Sequence, residues 1–375
     1  MNEIVLKVPL LDVPAQNGKL KEELMRTFEG LLDSGFFILG PEVEAFEEEV
    51  AAYLGVDHAI GISSGTDALM VALLAAGVGP GDEVICPAFT FFATAGSVVR
   101  VGAVPIFVDS EEDSFNLDLQ GADELVTEKT KAIIPVHLFG RCAAMGKVMA
   151  FARKHDLVVI EDAAQSLGAS ICSKKCGTIG DFGIYSFFPS KNLGGFGDGG
   201  MVTCRKAELA EKVRRLRNHG MFPKYHHAEV GGNFRLDSLQ AALLRKKLPY
   251  LDAYGAGRSD NAAFYLVAFA DLDPERVTMP LPGKSDEGVI WNQFTLKVHG
   301  ERDALKDHLL LHGVGCETYY PVPLHHQECF SGLPKRSLPV AEKLAKEVLS
   351  IPVYAELGDE RRKRVVKVVK AFFES

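Results

Sequence analysis

GDFGIYSFFPSKNLGGFGDGGMVTC, residues 180–204, consists of two short apolar runs joined by a turn that carries one lysine. GIYSFF (183–188) and GGMVTC (199–204) have the length and the β-branched and aromatic content of strands. Lys191 sits between them, after Pro189 and ahead of Gly194, Gly195, Gly197, Gly199 and Gly200. A glycine run of this kind suggests a dinucleotide loop, but that fingerprint must open a helix, and here a strand follows. The other reading is a lysine set where backbone segments pack closely. Its amine is then desolvated and its pKa lowered, as a Schiff-base lysine requires. A lysine on an ordinary surface turn stays open at this point.

Working outward, the same short apolar runs recur at HAIGI (58–62), EVICP (83–87), VPIFVD (104–109), KAIIPVHL (131–138) and LVVIED (157–162). Helix-like stretches separate several of them: residues 66–76, 94–102 and 144–156. Strands apolar on both faces and alternating with helices predict an α/β fold, a mostly parallel sheet sandwiched by helices. Ligands of such sheets lie beyond the carboxyl ends of the strands. Near residue 250 the pattern changes. A long helix is expected over 238–272, then a strand at 289–300, a helix at 301–313, an extended segment at 314–325 and two closing helices. The division expected is a large domain over 1–250 and a smaller α+β domain over 251–375.

Composition narrows the classes. A chain of 375 residues, 47% hydrophobic and 24% charged, is an ordinary globular sequence. With 41 Lys+Arg against 50 Asp+Glu, its net charge of −9 argues against a nucleic-acid binder. The longest apolar run, residues 68–79, is too short to span a bilayer, and no membrane association is expected. The N-terminus, with Glu3 and Pro9, does not resemble a signal peptide, and seven cysteines form no paired framework. A cytoplasmic protein with reduced thiols, Cys172 and Cys176 among them, is the expectation. The adjacent pairs His226-His227 and His325-His326 should point to opposite sides of an extended chain, so no metal site is expected.

Three further segments fit the lysine. GISSGTDAL places Ser63, Ser64, Gly65 and Thr66 at a strand end opening a helix, where free N–H groups would meet an anion; taken alone, a plain N-cap explains them better. LVVIED leaves Asp162 at the carboxyl end of a strand, poised to meet a cation such as a protonated pyridine nitrogen, or to cap the next helix. PAFTFFATA (87–95) offers Phe89, Phe91 and Phe92 as a ring-stacking face, although strand-end aromatics usually belong to the core. Anion cradle, aromatic face, acid and lysine are together the parts that hold pyridoxal 5′-phosphate (PLP).

These segments, with HLFGR (137–141), EDAAQSLGA (161–169), RNHG (217–220) and GGNFRLDSLQAA (231–242), resemble the DegT/StrS family of PLP-dependent sugar aminotransferases of fold type I. The resemblance implies that Lys191 carries the Schiff base, Asp162 partners the pyridine nitrogen and Gln165 meets the ring hydroxyl. Gly65, Thr66 and Ser186 would hold the phosphate and Phe91 would stack. Asn233 would reach the phosphate of a neighbouring subunit, with Arg235 near the same shared site, in a homodimer. The implied substrates are L-glutamate and a keto sugar nucleotide. A histidine in place of Lys191 would mark the dehydratases of the fold, and the lysine argues against them. ETYYPVPLH (317–325) is similar to the HYPxPxH-type segment of members acting on 3-keto sugars, which implies Tyr319, Tyr320 and His325 as substrate contacts. Tyr319 stands where histidine is usual. A UDP-linked 2-acetamido sugar of a surface-glycan or lipopolysaccharide precursor is the expected acceptor. The alternatives are a 4-keto-6-deoxy sugar, or a catalytically silent PLP-binding regulator.

Overall fold

The computed structural model describes residues 6–374; Glu3, used above in the signal-peptide argument, lies outside them. Seven strands form one sheet in the spatial order His58–Ile62, Gly200–Cys204, Phe182–Ser186, Val158–Asp162, Thr130–Ile133, Glu83–Pro87 and Val104–Val108. The last five are mutually parallel, whereas Gly200–Cys204 runs antiparallel to both its neighbours. Helices Gly65–Ala75, Ala93–Arg100 and Met145–His155 connect and cover the strands. Val84, Ile85 and Cys86 are therefore buried on successive, opposite-facing positions. The expected mostly parallel, helix-sandwiched sheet is the one observed.

Register brings the lysine turn to the ligand end of this sheet. Gly200 pairs with Ser186 on one side and Ile62 on the other, so residues 187–199 double back beside the carboxyl ends of the strands. Their glycines serve contact: none of the five after Lys191 has a positive φ. A Cβ on Gly194 would lie 2.3 Å from the Pro189 carbonyl oxygen, and one on Gly200 would lie 2.4 Å from the Ser64 carbonyl carbon. The backbone passes where only hydrogen fits.

A second core forms around a three-stranded antiparallel sheet, Val277–Thr278, Phe294–Val298 and Val348–Ile351, with helices Leu251–Ala268, Arg302–Leu311 and Gly358–Phe373 against it. Val8 joins this core from the N-terminal end, hydrogen-bonded to Gly313 and Gly315. Leu324, Phe330, Leu338 and Leu344 pack instead with the core of the large sheet.

Several expectations are corrected. The strand expected over 131–138 ends at Ile133, two residues before Pro135, which has no N–H to give a ladder. The long helix expected over 238–272 is two helices, Ser238–Lys247 and Leu251–Ala268, separated by a 3₁₀ turn containing Pro249. Only Phe294–Val298 of the 289–300 segment is strand, and Val348–Ile351 adds a strand between the closing helices. Cys142 and Cys176 form a disulfide with their Cα atoms 6.0 Å apart, so Cys176 is not an ordinary thiol. His325 and His326 lie on a 3₁₀ turn, and both Nε2 atoms turn toward Glu342 Oε1, at 3.3 and 3.8 Å. The expectation that they diverge assumed an extended chain.

Candidate active site

The site begins where strand His58–Ile62 gives way to helix Gly65–Ala75. Ser64 adopts an extended conformation and its hydroxyl accepts the Asp67 N–H at 3.0 Å. This cap satisfies one amide of the first turn and leaves those of Gly65 and Thr66 at the positive end of the helix dipole. Ser186 closes against them: a Cβ on Gly65 would lie 2.8 Å from the Ser186 Cβ. Two amides and two hydroxyls, those of Thr66 and Ser186, thus border one end of a cavity of about 470 Å³. The set suits a phosphate dianion.

Asp162 ends its strand in the wall of the same cavity and is only 5% exposed. Thr94 donates its hydroxyl to Oδ2 at 2.8 Å, and the Ala164 N–H is 3.2 Å from Oδ1. Burial raises the pKa of this carboxyl, opposed by those two hydrogen bonds and by the charges of Lys191 and His137. Lys191 lines the same cavity and is half-buried. Burial lowers its pKa to about 8, with Asp162 pulling the other way. A buried amine and a buried acid face one space, each costly to charge without a partner there.

Phe91, Gln165, Tyr319 and Tyr320 complete the expected lining. Phe91 is 52% exposed and its ring lies 6.0 Å from that of Tyr320. Phe89 is buried in the core and Phe92 stacks on Phe330, so of the three phenylalanines only Phe91 lines the cavity. The Gln165 amide is fixed at both ends, Oε1 accepting the Phe139 N–H at 2.8 Å and Nε2 donating to the Tyr320 hydroxyl at 3.0 Å.

Three expected residues lie elsewhere. Asn233 and Arg235 line a second cavity of about 480 Å³ that shares Ser64 and Asp198 with the first. The Arg235 guanidinium donates to Asn218 at 2.8 Å and keeps a buried Nε with no partner. His325 borders a third cavity with His326, Glu328, Lys335 and Arg336; its side chain is 6% exposed and burial lowers its pKa. Within this chain it is not part of the Lys191 cavity.

Reading the sequence missed Thr90, Thr94, Asn292 and Gln293, all four placed at or beside the site. The two threonines stand inside PAFTFFATA, four residues apart, among aromatics that drew the attention. Asn292 and Gln293 interrupt the apolar run 289–300, and that interruption is the signal of a strand that has not yet begun.

The residues fit PLP on chemistry: an anion cradle at a helix start, a ring-sized cavity with one aromatic wall, a buried acid and a lysine of lowered pKa. The comparisons with known proteins agree. A pleiotropic regulatory protein of Geobacillus stearothermophilus is 46% identical, covering 98% of this chain and 99% of its own. The UDP-N-acetyl-3-dehydro-alpha-D-glucosamine 3-aminotransferase of Acidithiobacillus ferrooxidans is 45% identical, covering 97% of each chain. Streptomyces venezuelae DesV, solved in complex with a ketimine intermediate, superposes with a TM-score of 0.94 at 42% identity over 98% of this chain and 99% of that one. The fold is that of the fold-type-I aminotransferases. Over residues 18–370 the family model matches as well, and the chain belongs to the DegT/DnrJ/EryC1/StrS aminotransferase family.

Proposed function

We propose that the chain uses PLP to move an amino group from L-glutamate to the keto carbon of a sugar nucleotide, specifically a 3-keto, UDP-linked 2-acetamido sugar. The observation that carries this is the shared cavity of Lys191, Asp162 and the helix-start anion cradle. The 45% identical relative named as a UDP-N-acetyl-3-dehydro-glucosamine 3-aminotransferase supports the choice of acceptor. Tyr320, on the segment that resembles the 3-keto members, lines the cavity and supports it too.

When bound, the cofactor supplies an aldehyde carbon that takes the amine and a protonated ring that accepts the electron pair left on the substrate carbon. The chain supplies the rest. Thr66, Ser186 and the two helix-start amides hold the dianion. Asp162 presents a carboxylate to the cavity, steadied by Thr94 and Ala164. Lys191 Nζ takes and returns the substrate proton, which a pKa near 8 suits at neutral pH. Gln165, immobilised from both sides, offers a fixed amide to the ring edge. The segment after residue 250 covers the site through Asn292, Gln293, Tyr319 and Tyr320, which supports a division into a cofactor-binding part to about residue 250 and a covering part after it.

The reading includes a homodimer with shared sites. Asn233 is exposed beside Ile38, and Phe36, Phe37 and Ile38 are 60%, 48% and 57% exposed. Apolar side chains bared together around a cavity suit burial by a second copy, which would bring the Asn233 and Arg235 there to the other subunit's phosphate end. No helix among the described residues is long and apolar enough to cross a membrane. A cytoplasmic role in supplying surface-glycan precursors is part of the proposal.

The test is the absorbance of the purified protein before and after L-glutamate. The chromophore should shift to the pyridoxamine form, and a UDP-linked 3-keto 2-acetamido sugar should reverse the shift better than 4-keto sugars. Lys191→Ala should lose the response by about 10⁴-fold. A chromophore that ignores every amino donor would overturn the transaminase and favour a silent regulator, as one relative's name suggests.

A further inference from the structure

We infer that Thr94, set in turn by Thr90, is the positioning residue that orients the Asp162 carboxylate into the cofactor cavity. The inference rests on the PLP reading for its purpose, but its geometry stands in the chain alone. Thr94 is 0% exposed, Thr90 2% and Asp162 5%. A threonine hydroxyl has one hydrogen to give. Thr94 gives it to Asp162 Oδ2, a carboxylate oxygen 2.8 Å away that can only accept. The Thr90–Thr94 contact at 3.3 Å must then run from Thr90 to the Thr94 oxygen. The two hydroxyls form a directed pair ending on one carboxylate oxygen, while the Ala164 N–H holds the other. Donors on both oxygens restrain rotation of the carboxylate about its own bond.

Among the described residues Thr94 is the only side chain that hydrogen-bonds Asp162. It does so from the first turn of helix Ala93–Arg100, directly after Phe91 and Phe92, so one short segment supplies both the aromatic wall and the donor. The donation also favours the charged form of a carboxyl that burial otherwise pushes toward neutrality. Without it, a neutral or turned Asp162 would serve a protonated ring nitrogen poorly.

The experiment compares wild type with Thr94→Val, Thr94→Ser and Thr90→Val. In the cofactor-free enzyme, carbon NMR of labelled aspartate follows the Asp162 carboxyl against pH, assigned by its loss in Asp162→Asn. Thr94→Val should move that titration to higher pH and weaken PLP affinity by about tenfold to a hundredfold. Thr94→Ser should restore both, which a merely packed methyl would not, and Thr90→Val should show a smaller change in the same direction. Should Thr94→Val not fold, Thr94→Ala removes the hydroxyl without adding a buried methyl. A wild-type titration and wild-type PLP affinity in the hydroxyl-free variant would overturn the inference. If wild type itself takes up no PLP, the proposed function fails, while the carboxyl titration still reads the role of Thr94.

Discussion

Adjacent acids at the end of one strand have opposite fates. Asp162 keeps one face open to the cavity, whereas Glu161 is sealed, accepting the Gly177, Ile179 and Gly180 N–H groups at 2.8, 2.6 and 2.6 Å. His137 supplies the fourth donor: its Nδ1 accepts the Ala143 N–H, which leaves Nε2 to face Glu161 at 2.8 Å. Successive residues of a strand point to opposite faces, so one carboxylate faces the cavity and the other ties down a loop. The free chain should also reveal Lys191 through pH. Its folded value of about 8 lies below the ordinary 10.5, so the unfolded chain binds the proton more tightly. The contribution of Lys191 to stability therefore rises with pH from about 8 to about 10.5. Urea unfolding of cofactor-free wild type and Lys191→Met should show the variant more stable near pH 7, with the gap closing as pH rises through that window. A gap independent of pH would mean that the amine is not desolvated.

Elements set the loops, and a covalent tie joins two of them. Cys142 follows the turn whose Phe139 N–H holds Gln165, and Cys176 precedes the loop whose amides hold Glu161. A bridge across 34 residues constrains the unfolded chain, a gain of about 2–4 kcal/mol. Reductant, or Cys142→Ser, should lower the unfolding free energy by about that amount, measured in urea with thiol counting on the same samples. Unchanged stability on reduction would mean that the bond contributes nothing. Spacing offered no hint of this pair, because Cys142 and Cys176 stand 34 residues apart and meet only once the fold brings their segments together. The strands themselves were legible: HAIGI and EVICP match their observed limits, since fully buried strands carry unbroken apolar runs. The split of the 238–272 helix is marked in the sequence by Pro249, but apolar spacing continues through it and masks the break.

At the scale of the molecule, the Lys191 cavity draws Ser64, Phe91, Asp162, Lys191 and Tyr320 from positions up to 256 residues apart, yet leaves Asn233 and Arg235 in a neighbouring recess. If a second copy completes each site, variants with lesions in different parts should rescue one another. Mixing and refolding Lys191→Ala with Asn233→Ala at equal amounts should return about a quarter of wild-type activity, since half the dimers are hybrids with one intact site of two. Activity no greater than half that of pure Asn233→Ala would place both residues in one subunit's site, since each such subunit would then work alike in either dimer.

The sequence alone determined the α/β class, most strands of the large sheet and the strand-end placement of Lys191 and Asp162, because strand-end position and glycine content are local properties of the chain, whereas Gln165 stood out only through the family resemblance. Tertiary structure decided what depends on contact between distant segments. It seated Thr94 on Asp162, closed Glu161 within a ring of amides, paired Cys142 with Cys176 and kept His325 out of the cavity. A hydrogen bond or a disulfide needs two groups within a few ångströms, and no spacing along the chain records which segments the sheet will bring that close.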